Sequence, residues 1–184
     1  MRILSTALLG SALLAACGPT PEEREAALAA FATVEVVFQH PRCANCHVPG
    51  DAPGAGWTHP MGVVRGPEGH GAPGLPCSTC HAEENSPESY GPSAPPGAPH
   101  WGLPPPDQKM AWFGLDRKAL CEIIQDEDRN GDRDLDDLVQ HVSEDKLVLW
   151  GWDPGGTRAA IPVPHAEFVD KFRAWTDGGA PCPA

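Results

Sequence analysis

The C-terminal part of the chain carries hydrophobic stripes that predict short helices. In residues 116–125, apolar side chains recur at helical spacing behind Asp116, a residue type that favours the N-cap position. Similar stripes run through residues 135–150 and 164–179, and the last stops at a glycine pair, which is typical of a helix C-terminus. The stripes predict an ordinary apolar core formed by Leu120, Ile123, Ile124, Leu135, Leu138, Val139, Val142, Phe168, Phe172 and Trp175. We expect His141, beside one stripe, to be a core histidine rather than a ligand.

The middle of the chain has no such pattern. The protein contains 20 glycines and 22 prolines, and 25 of them lie in residues 48–106. Glycine costs backbone entropy in regular structure and proline removes a backbone donor, so neither a helix bundle nor a sheet is predicted there. The segment must therefore be disordered or wrapped around a group that supplies its core.

The N-terminus is similar to a bacterial lipoprotein signal peptide. Residues 3–16 form an apolar run behind a positively charged second residue, too short to span a bilayer as a helix and typical of a secretory signal. The run ends in LAAC at 14–17, which resembles the site where lipoproteins are cut and acylated. We predict a signal peptide at 1–16, a lipid anchor at Cys17, and an anchor and linker segment at 17–30. The alternative is an uncleaved helix with a cysteine at its end by chance.

The predicted compartment and the charge of the chain limit its partners. Gly18 follows the cysteine, where an aspartate would indicate retention in the inner membrane. By resemblance to other lipoproteins we therefore expect a cell-envelope protein that faces the periplasm, at the outer membrane. The chain has 13 basic and 25 acidic residues, a formal net charge of −12. Such a charge disfavours nucleic acid as a partner and favours partners with basic surfaces.

Two copies of Cys-x-x-Cys-His, at residues 43–47 and 77–81, carry the chemistry of the chain. This spacing is the attachment signature of c-type haem, because two thiols on one short turn reach the two vinyl groups of a porphyrin and the adjacent imidazole lies beneath the iron. The motifs predict two haem c groups, which supply the missing core of the middle segment and pack against aromatic residues. The predicted attachment residues are Cys43, Cys46, Cys77 and Cys80, with His47 and His81 as proximal iron ligands.

Two other interpretations compete with haem. Two Cys-x-x-Cys pairs also occur in zinc ribbons, and each pair alone can form a disulfide. A zinc site does not require a histidine directly after both pairs. Export to an oxidising compartment also disfavours free thiols that await zinc.

Several histidines and one methionine are candidates for the sixth ligand of each iron. We expect His59 at the first haem, because the following proline holds its backbone. We expect His100 or Met110 at the second haem, and a methionine ligand there would raise the potential of that haem. His70, shortly before the second motif, is the substitute. His40 lies too close to the first attachment turn to reach across the iron.

An acidic loop at residues 126–137 matches part of a calcium-binding pattern. The matching positions are Asp126, Asp128, Asn130, Asp134 and Asp137, with a glycine at the sixth position. A calcium ion is therefore one interpretation, and a solvated acidic turn between helices is the other.

Two cysteines remain after the anchor and the haem thiols are assigned. In an oxidising compartment Cys121 and Cys182 are expected to pair and to hold the C-terminal tail against the first predicted helix. The alternative is two free thiols.

The residues from PRCANCHVPGD through LPCSTCH, PGAPHWGLPP, MAWFGL and LVLWGWDPG to FRAWTDGGAPCP resemble a family of small exported bacterial dihaem proteins, described as cytochrome c-like. The resemblance covers about residues 30–184 and implies the same six haem residues as the two motifs. Some members of that family are labelled isoquinoline 1-oxidoreductase subunits, which implies a molybdenum oxidoreductase as redox partner.

Together these patterns predict a mostly α fold with extensive irregular structure. We expect one dihaem cytochrome c domain at 31–184, in which residues 31–110 wrap the haems and residues 111–184 form short helices pinned by a disulfide. The expected function is electron transfer between redox proteins at a membrane surface, not enzymatic chemistry. The alternative is a small peroxidase-like haem enzyme or ligand sensor with one open iron position.

Overall fold

The structure is a computed structural model and describes residues 18–184. The expected signal peptide at 1–16 and the expected lipid anchor Cys17 lie outside the described residues. The fold is mostly helical, at 40% helix with almost no strand, which confirms the predicted class at that level. Among the helices of residues 18–184, none combines the length and the hydropathy needed to cross a bilayer.

The first helix, α1 (Pro21–Phe38), begins inside the segment predicted as a linker. The Thr20 hydroxyl accepts a hydrogen bond from the Glu23 backbone N–H, and the Glu23 carboxylate accepts one from the Thr20 N–H, which forms a capping box. One face of α1 is buried: Ala27, Ala30, Phe31, Val34, Val37 and Phe38. The linker predicted at 17–30 is therefore wrong from the start of α1, because a capped helix with a buried face belongs to the folded domain.

The middle of the chain contains only short regular elements. They are α2 (Pro41–Ala44), a two-stranded antiparallel hairpin of β1 (Gly71–Ala72) and β2 (Leu75–Pro76), and 3-10 turns at Cys77–Thr79 and Glu88–Tyr90.

A buried arginine holds the irregular backbone of this middle segment together. Arg65 is 2% exposed, and its guanidinium donates hydrogen bonds to the carbonyls of Val48, Gly50 and Pro104. Backbone carbonyls that no ladder satisfies thus find a partner, as buried polar groups require. The segment is ordered by polar contacts rather than by an apolar core of its own.

The C-terminal part forms α3 (Arg117–Ile124), α4 (Glu127–Asn130), α5 (Leu135–Glu144), α6 (Lys146–Leu149) and α7 (His165–Asp177). Asp116 caps α3 as predicted, since its side chain accepts a hydrogen bond from the Ala119 N–H. The long helix α7 packs along α1, where the ring of Phe31 lies 5.1 Å from that of Trp175. Of the predicted stripe residues, all are buried except Ile123 and Leu135, which are half-buried against the same core.

A disulfide bond joins α3 to the end of the chain. Cys121 and Cys182 are bonded, with Cα atoms 5.5 Å apart, and they are the pair expected from the sequence. The indole N–H of Trp175 donates to the carbonyl of Pro181 at 3.1 Å, which fixes the same tail a second time.

Candidate cofactor site

Both Cys-x-x-Cys-His motifs adopt the same short turn. In the first, the backbone N–H groups of Cys46 and His47 both donate to the carbonyl of Cys43, at 3.1 and 3.3 Å. In the second, the N–H groups of Cys80 and His81 both donate to the carbonyl of the motif's first cysteine, at 3.1 and 3.0 Å. The same pair of backbone hydrogen bonds therefore closes the turn in both motifs.

The two motif histidines are also held in the same way. The Nδ1 atom of His47 lies 2.7 Å from the carbonyl oxygen of Met110, and Nδ1 of His81 lies 2.7 Å from that of Pro96. A carbonyl accepts only, so Nδ1 carries the proton and Nε2 is the nitrogen available to a metal. Metal-binding histidines are typically oriented through their other ring nitrogen in this manner.

Each of these imidazoles lies flat against a tryptophan. The ring centre of His47 is 3.5 Å from that of Trp112, with 8° between the planes, and His81 is 4.6 Å from Trp101, with 6°. Trp112 is fixed in turn, because its indole N–H donates to the carbonyl of Phe38 at the end of α1. Hydrogen bond and stacking together define the plane of each ring, so both imidazoles are rigid before any group binds.

The first motif borders a cavity of about 430 Å³. Cys43, Cys46 and His47 line it together with apolar side chains of α1, α5 and α7: Phe38, Leu138, Val142 and Phe172. Burial raises the pKa of the Cys43 thiol to about 12 and that of Cys46 to about 11, and burial lowers the pKa of His47 to about 3. At neutral pH the thiols are protonated and the imidazole is neutral, which leaves its Nε2 lone pair free to bind iron.

The charged side chains of this cavity are mostly cationic, although the chain as a whole is strongly acidic. Arg42, Arg129 and Arg133 line the cavity, against the single carboxylate of Asp145. The buried Nε of Arg42 has no hydrogen-bond partner within residues 18–184. A haem carries an apolar ring and two propionates, so an apolar wall with three guanidinium groups suits it, and the residues present fit a haem c at this site.

The second motif lies nearer the surface and faces another histidine. His81 is half-buried, which lowers its pKa, and the ring centre of His59 lies 6.3 Å from that of His81. A metal–imidazole bond is about 2 Å long and a ring nitrogen lies about 1 Å from its ring centre, so two imidazoles that share one iron have centres about 6 Å apart. The separation of these two rings is therefore the separation that a shared iron requires.

The His59 ring has one contact that iron binding must change. Its Nδ1 accepts a hydrogen bond from the backbone N–H of Met61 at 3.3 Å. Coordination of a metal through Nε2 requires the proton on Nδ1, so this long contact would have to open for His59 to act as a ligand.

The two motifs are close to each other. The Asn45 side chain, inside the first motif, accepts hydrogen bonds at 2.9 Å from the backbone of Ala55 and from the indole of Trp57. That loop leads directly to His59, so the first motif positions the histidine that faces the second. In addition, the thiols of Cys46 and Cys77 are near enough that the charge of one raises the pKa of the other.

The structure changes the expected pairing of distal residues with motifs. His59 was expected at the first motif and lies at the second; His100 and Met110 were expected at the second, and both line the cavity of the first. The carbonyl of Met110 is the group that holds His47. The pairing could not follow from sequence distance, because the regular structure described between the two motifs is limited to the short hairpin of β1 and β2.

Of the remaining histidines, His70 and His40 make hydrogen bonds to the backbone, and His141 lies at a position that differs from the prediction. His70 is exposed, with Nδ1 3.2 Å from the carbonyl of Trp101, and His40 caps α2, as its exclusion from the ligands implied. His141 was predicted to lie in the core, which is wrong: it lines the first cavity, and 33% of its side chain is exposed.

The competing interpretations of the thiols find no support in the geometry. Cys43, Cys46, Cys77 and Cys80 are not joined to one another by disulfides. Within residues 18–184, no three His, Cys, Asp or Glu side chains converge as a bare metal ion requires.

The acidic loop at 126–137 does not have the arrangement of a calcium site. Its start forms α4, and the Asn130 side chain is buried, where it bonds the backbone of Ile124 and Arg133. Asp134 caps α5 through the Asp137 N–H. The carboxylates of Asp126, Asp128, Asp134 and Asp137 form no group of three in the part of the chain that the structure describes. The calcium interpretation is therefore not supported, because the loop side chains cap helices instead of converging.

Sequence reasoning missed the residues that orient the imidazoles. Trp101, Trp112 and Asn45 hold the two sites, and the only signal for the tryptophans was the number of aromatic residues in so short a chain. Their partners are distant in sequence, so only the fold identifies them.

Comparison of the chain with protein-family models, curated proteins and solved structures gives no match.

Proposed function

We propose that this protein is a dihaem c-type electron-transfer lipoprotein of the bacterial cell envelope. In this proposal Cys43, Cys46, Cys77 and Cys80 bind two haems covalently, and the proximal iron ligands are His47 and His81. Cys17 carries the lipid anchor, and the mature chain faces the periplasm.

One observation carries the proposal, and it occurs twice. Each motif turn ends in a histidine whose Nδ1 is held by a backbone carbonyl at 2.7 Å and whose ring stacks on a tryptophan. Such an arrangement directs Nε2 outward and fixes the plane of the ring, which is what an iron ligand needs. A disulfide motif gives no reason for this second contact on each imidazole.

In this proposal the chain acts mainly by holding the two haems and shielding them from water. Bound haem supplies one-electron exchange between ferric and ferrous iron. Each motif would hold its haem through two thioethers, formed by addition of each S–H across a vinyl double bond with no net oxidation. His59 and His81 would hold the second iron, and the apolar walls of the first cavity would exclude water.

The arrangement of the two motifs suits transfer from haem to haem. Asn45 joins the first motif to the loop of the second site, and Cys46 lies near Cys77. Trp101 stacks on His81 and also lines the first cavity, so it borders both sites. Electrons that enter at the more exposed second motif thus have a short path to the buried first one.

The partners follow from charge and location. With a formal net charge of −12, the protein docks best on redox proteins with basic surfaces. A molybdenum oxidoreductase is the kind of partner that the family resemblance implies.

The decisive experiment is the mass and the pyridine haemochrome spectrum of the mature protein, produced in a host with a c-type haem maturation system. We expect two covalent haems per chain, and one in a Cys43→Ala/Cys46→Ala variant and in a Cys77→Ala/Cys80→Ala variant. A wild-type mass equal to polypeptide plus lipid alone would refute the proposal. Carbon monoxide binding to half of the reduced haem in wild type would instead favour the enzyme or sensor alternative.

A further inference from the structure

His141 is placed on the wall of the first cavity by helix α5. It lines that cavity together with Cys43, Cys46 and His47. His47 and His141 thus border the same cavity, although nearly a hundred residues separate them in the chain. The first cavity therefore contains a second imidazole besides the one that the motif provides.

A carboxylate orients the ring of His141. Its Nδ1 lies 3.5 Å from Oδ2 of Asp145, one helical turn further along the chain. Asp145 is itself fixed, because its Oδ1 accepts hydrogen bonds from the backbone N–H groups of Leu147 at 2.8 Å and Val148 at 3.2 Å, at the start of α6. The contact therefore places the proton of His141 on Nδ1 and the lone pair on Nε2.

The other two candidates in this cavity are placed less well. Met110 contacts Nδ1 of His47 through its carbonyl, so its backbone lies behind the proximal ring, away from the iron-binding nitrogen. His100 has an exposed side chain at the edge of the cavity, and no group within residues 18–184 orients its ring through a hydrogen bond.

We propose that Nε2 of His141 is the sixth ligand of the first haem and that Asp145 is the positioning residue that aims it. The inference rests on the proposed dihaem function and completes the ligand set of its first site. A carboxylate on the far nitrogen increases the electron donation of an imidazole, so Asp145 stabilises ferric iron at this haem. The other histidines assigned to iron, His47, His59 and His81, have backbone partners at Nδ1 instead.

The test compares His141→Ala with the matched variant His100→Ala, which removes the other cavity histidine, in the mature dihaem protein. We expect His141→Ala to convert one of the two haems from low-spin to high-spin in paramagnetic-resonance and absorption spectra and to bind carbon monoxide at half of the reduced haem. Added imidazole should restore the low-spin spectrum, and a far-ultraviolet circular dichroism spectrum equal to that of wild type should show that the variant is folded. His100→Ala should keep two low-spin haems.

Asp145→Asn tests the positioning role separately. Asparagine also caps helices, so α6 keeps its start while the charge behind His141 is lost. We expect two low-spin haems with an upward shift of one reduction potential and no change in the other. Two low-spin haems in His141→Ala, or a high-spin haem in His100→Ala, would overturn the assignment, and unchanged potentials in Asp145→Asn would overturn the role of the carboxylate. Absence of covalent haem from wild type would refute the proposed function itself, and is distinguished by the haemochrome measurement.

Discussion

A single hydrogen bond at Nδ1 decides which nitrogen of each motif imidazole is available to a metal. Two backbone carbonyls, of Met110 and Pro96, do this for the motif histidines. Neither acceptor belongs to a recognisable motif, and a carbonyl is available on every residue. The identity of the candidate ligands can thus be predicted from the sequence. Their orientation cannot, because it depends on backbone carbonyls that only the fold brings close to the imidazoles.

His59→Ala tests the distal ligand of the second haem. Because the His59 and His81 rings are separated as a shared iron requires, we expect the variant to open the second iron and to bind carbon monoxide at half of the reduced haem. His70→Ala is the control, since its ring is exposed and contacts only the carbonyl of Trp101. If His70→Ala opens an iron and His59→Ala does not, the assignment is wrong.

Asn45→Ala tests whether the first motif supports the second site. The variant removes two hydrogen bonds to the loop that precedes His59, a loss of about 2 kcal/mol at roughly 1 kcal/mol each. We expect the second haem to become partly high-spin while the first is unchanged, measured by paramagnetic resonance. Thr79→Ala is the matched control, because Thr79 has the same place in the second motif and is exposed. A spectrum like that of wild type would show that the loop is held by other contacts.

At the scale of helices, hydrophobic periodicity predicted three of the helices, and the capping-box residues before a fourth also mark its start. The stripes at α3, α5 and α7 can be recognised because apolar residues recur at helical spacing with polar residues between them. Helix α1 was missed because alanines blur its stripe, although Thr20 and Glu23 form a capping-box pattern before Phe31 and Val34. The segment 48–106 offered neither signal, since its backbone is ordered by a buried arginine and by contacts distant in sequence.

Loss of the disulfide should loosen α3 from the C-terminal tail. For the Cys121→Ala/Cys182→Ala variant, which opens a loop of 61 residues, we expect about 4 kcal/mol less stability on the chain-entropy model. Chemical denaturation followed by far-ultraviolet circular dichroism measures the difference. Reducing agent added to wild type should reproduce most of the loss. Equal stability of variant and wild type would show that the Trp175–Pro181 contact alone holds the tail.

For the molecule as a whole, the two haem sites differ in how far they belong to the core. The first cavity is walled by Phe38, Leu138 and Phe172, which also form the contact between α1, α5 and α7. The second motif has an exposed thiol at Cys80. In the proposed dihaem protein, the first haem would complete the helical core and the second would exchange electrons with partners.

This difference predicts unequal costs of losing each haem. A Cys43→Ala/Cys46→Ala variant leaves apolar walls of the main core without a partner, which costs both packing and burial. We expect it to melt at a clearly lower temperature than Cys77→Ala/Cys80→Ala, in which the lost group contacted mainly surface loops.

Thermal unfolding by far-ultraviolet circular dichroism compares the two variants with wild type. The haemochrome spectrum should show one haem per chain in each variant. Each variant therefore serves as the control for the other, because both lose two cysteines and one haem. Equal melting temperatures would contradict the view that the first haem is part of the helical core. A lower value for the second variant would place the structural haem at Cys77 and Cys80.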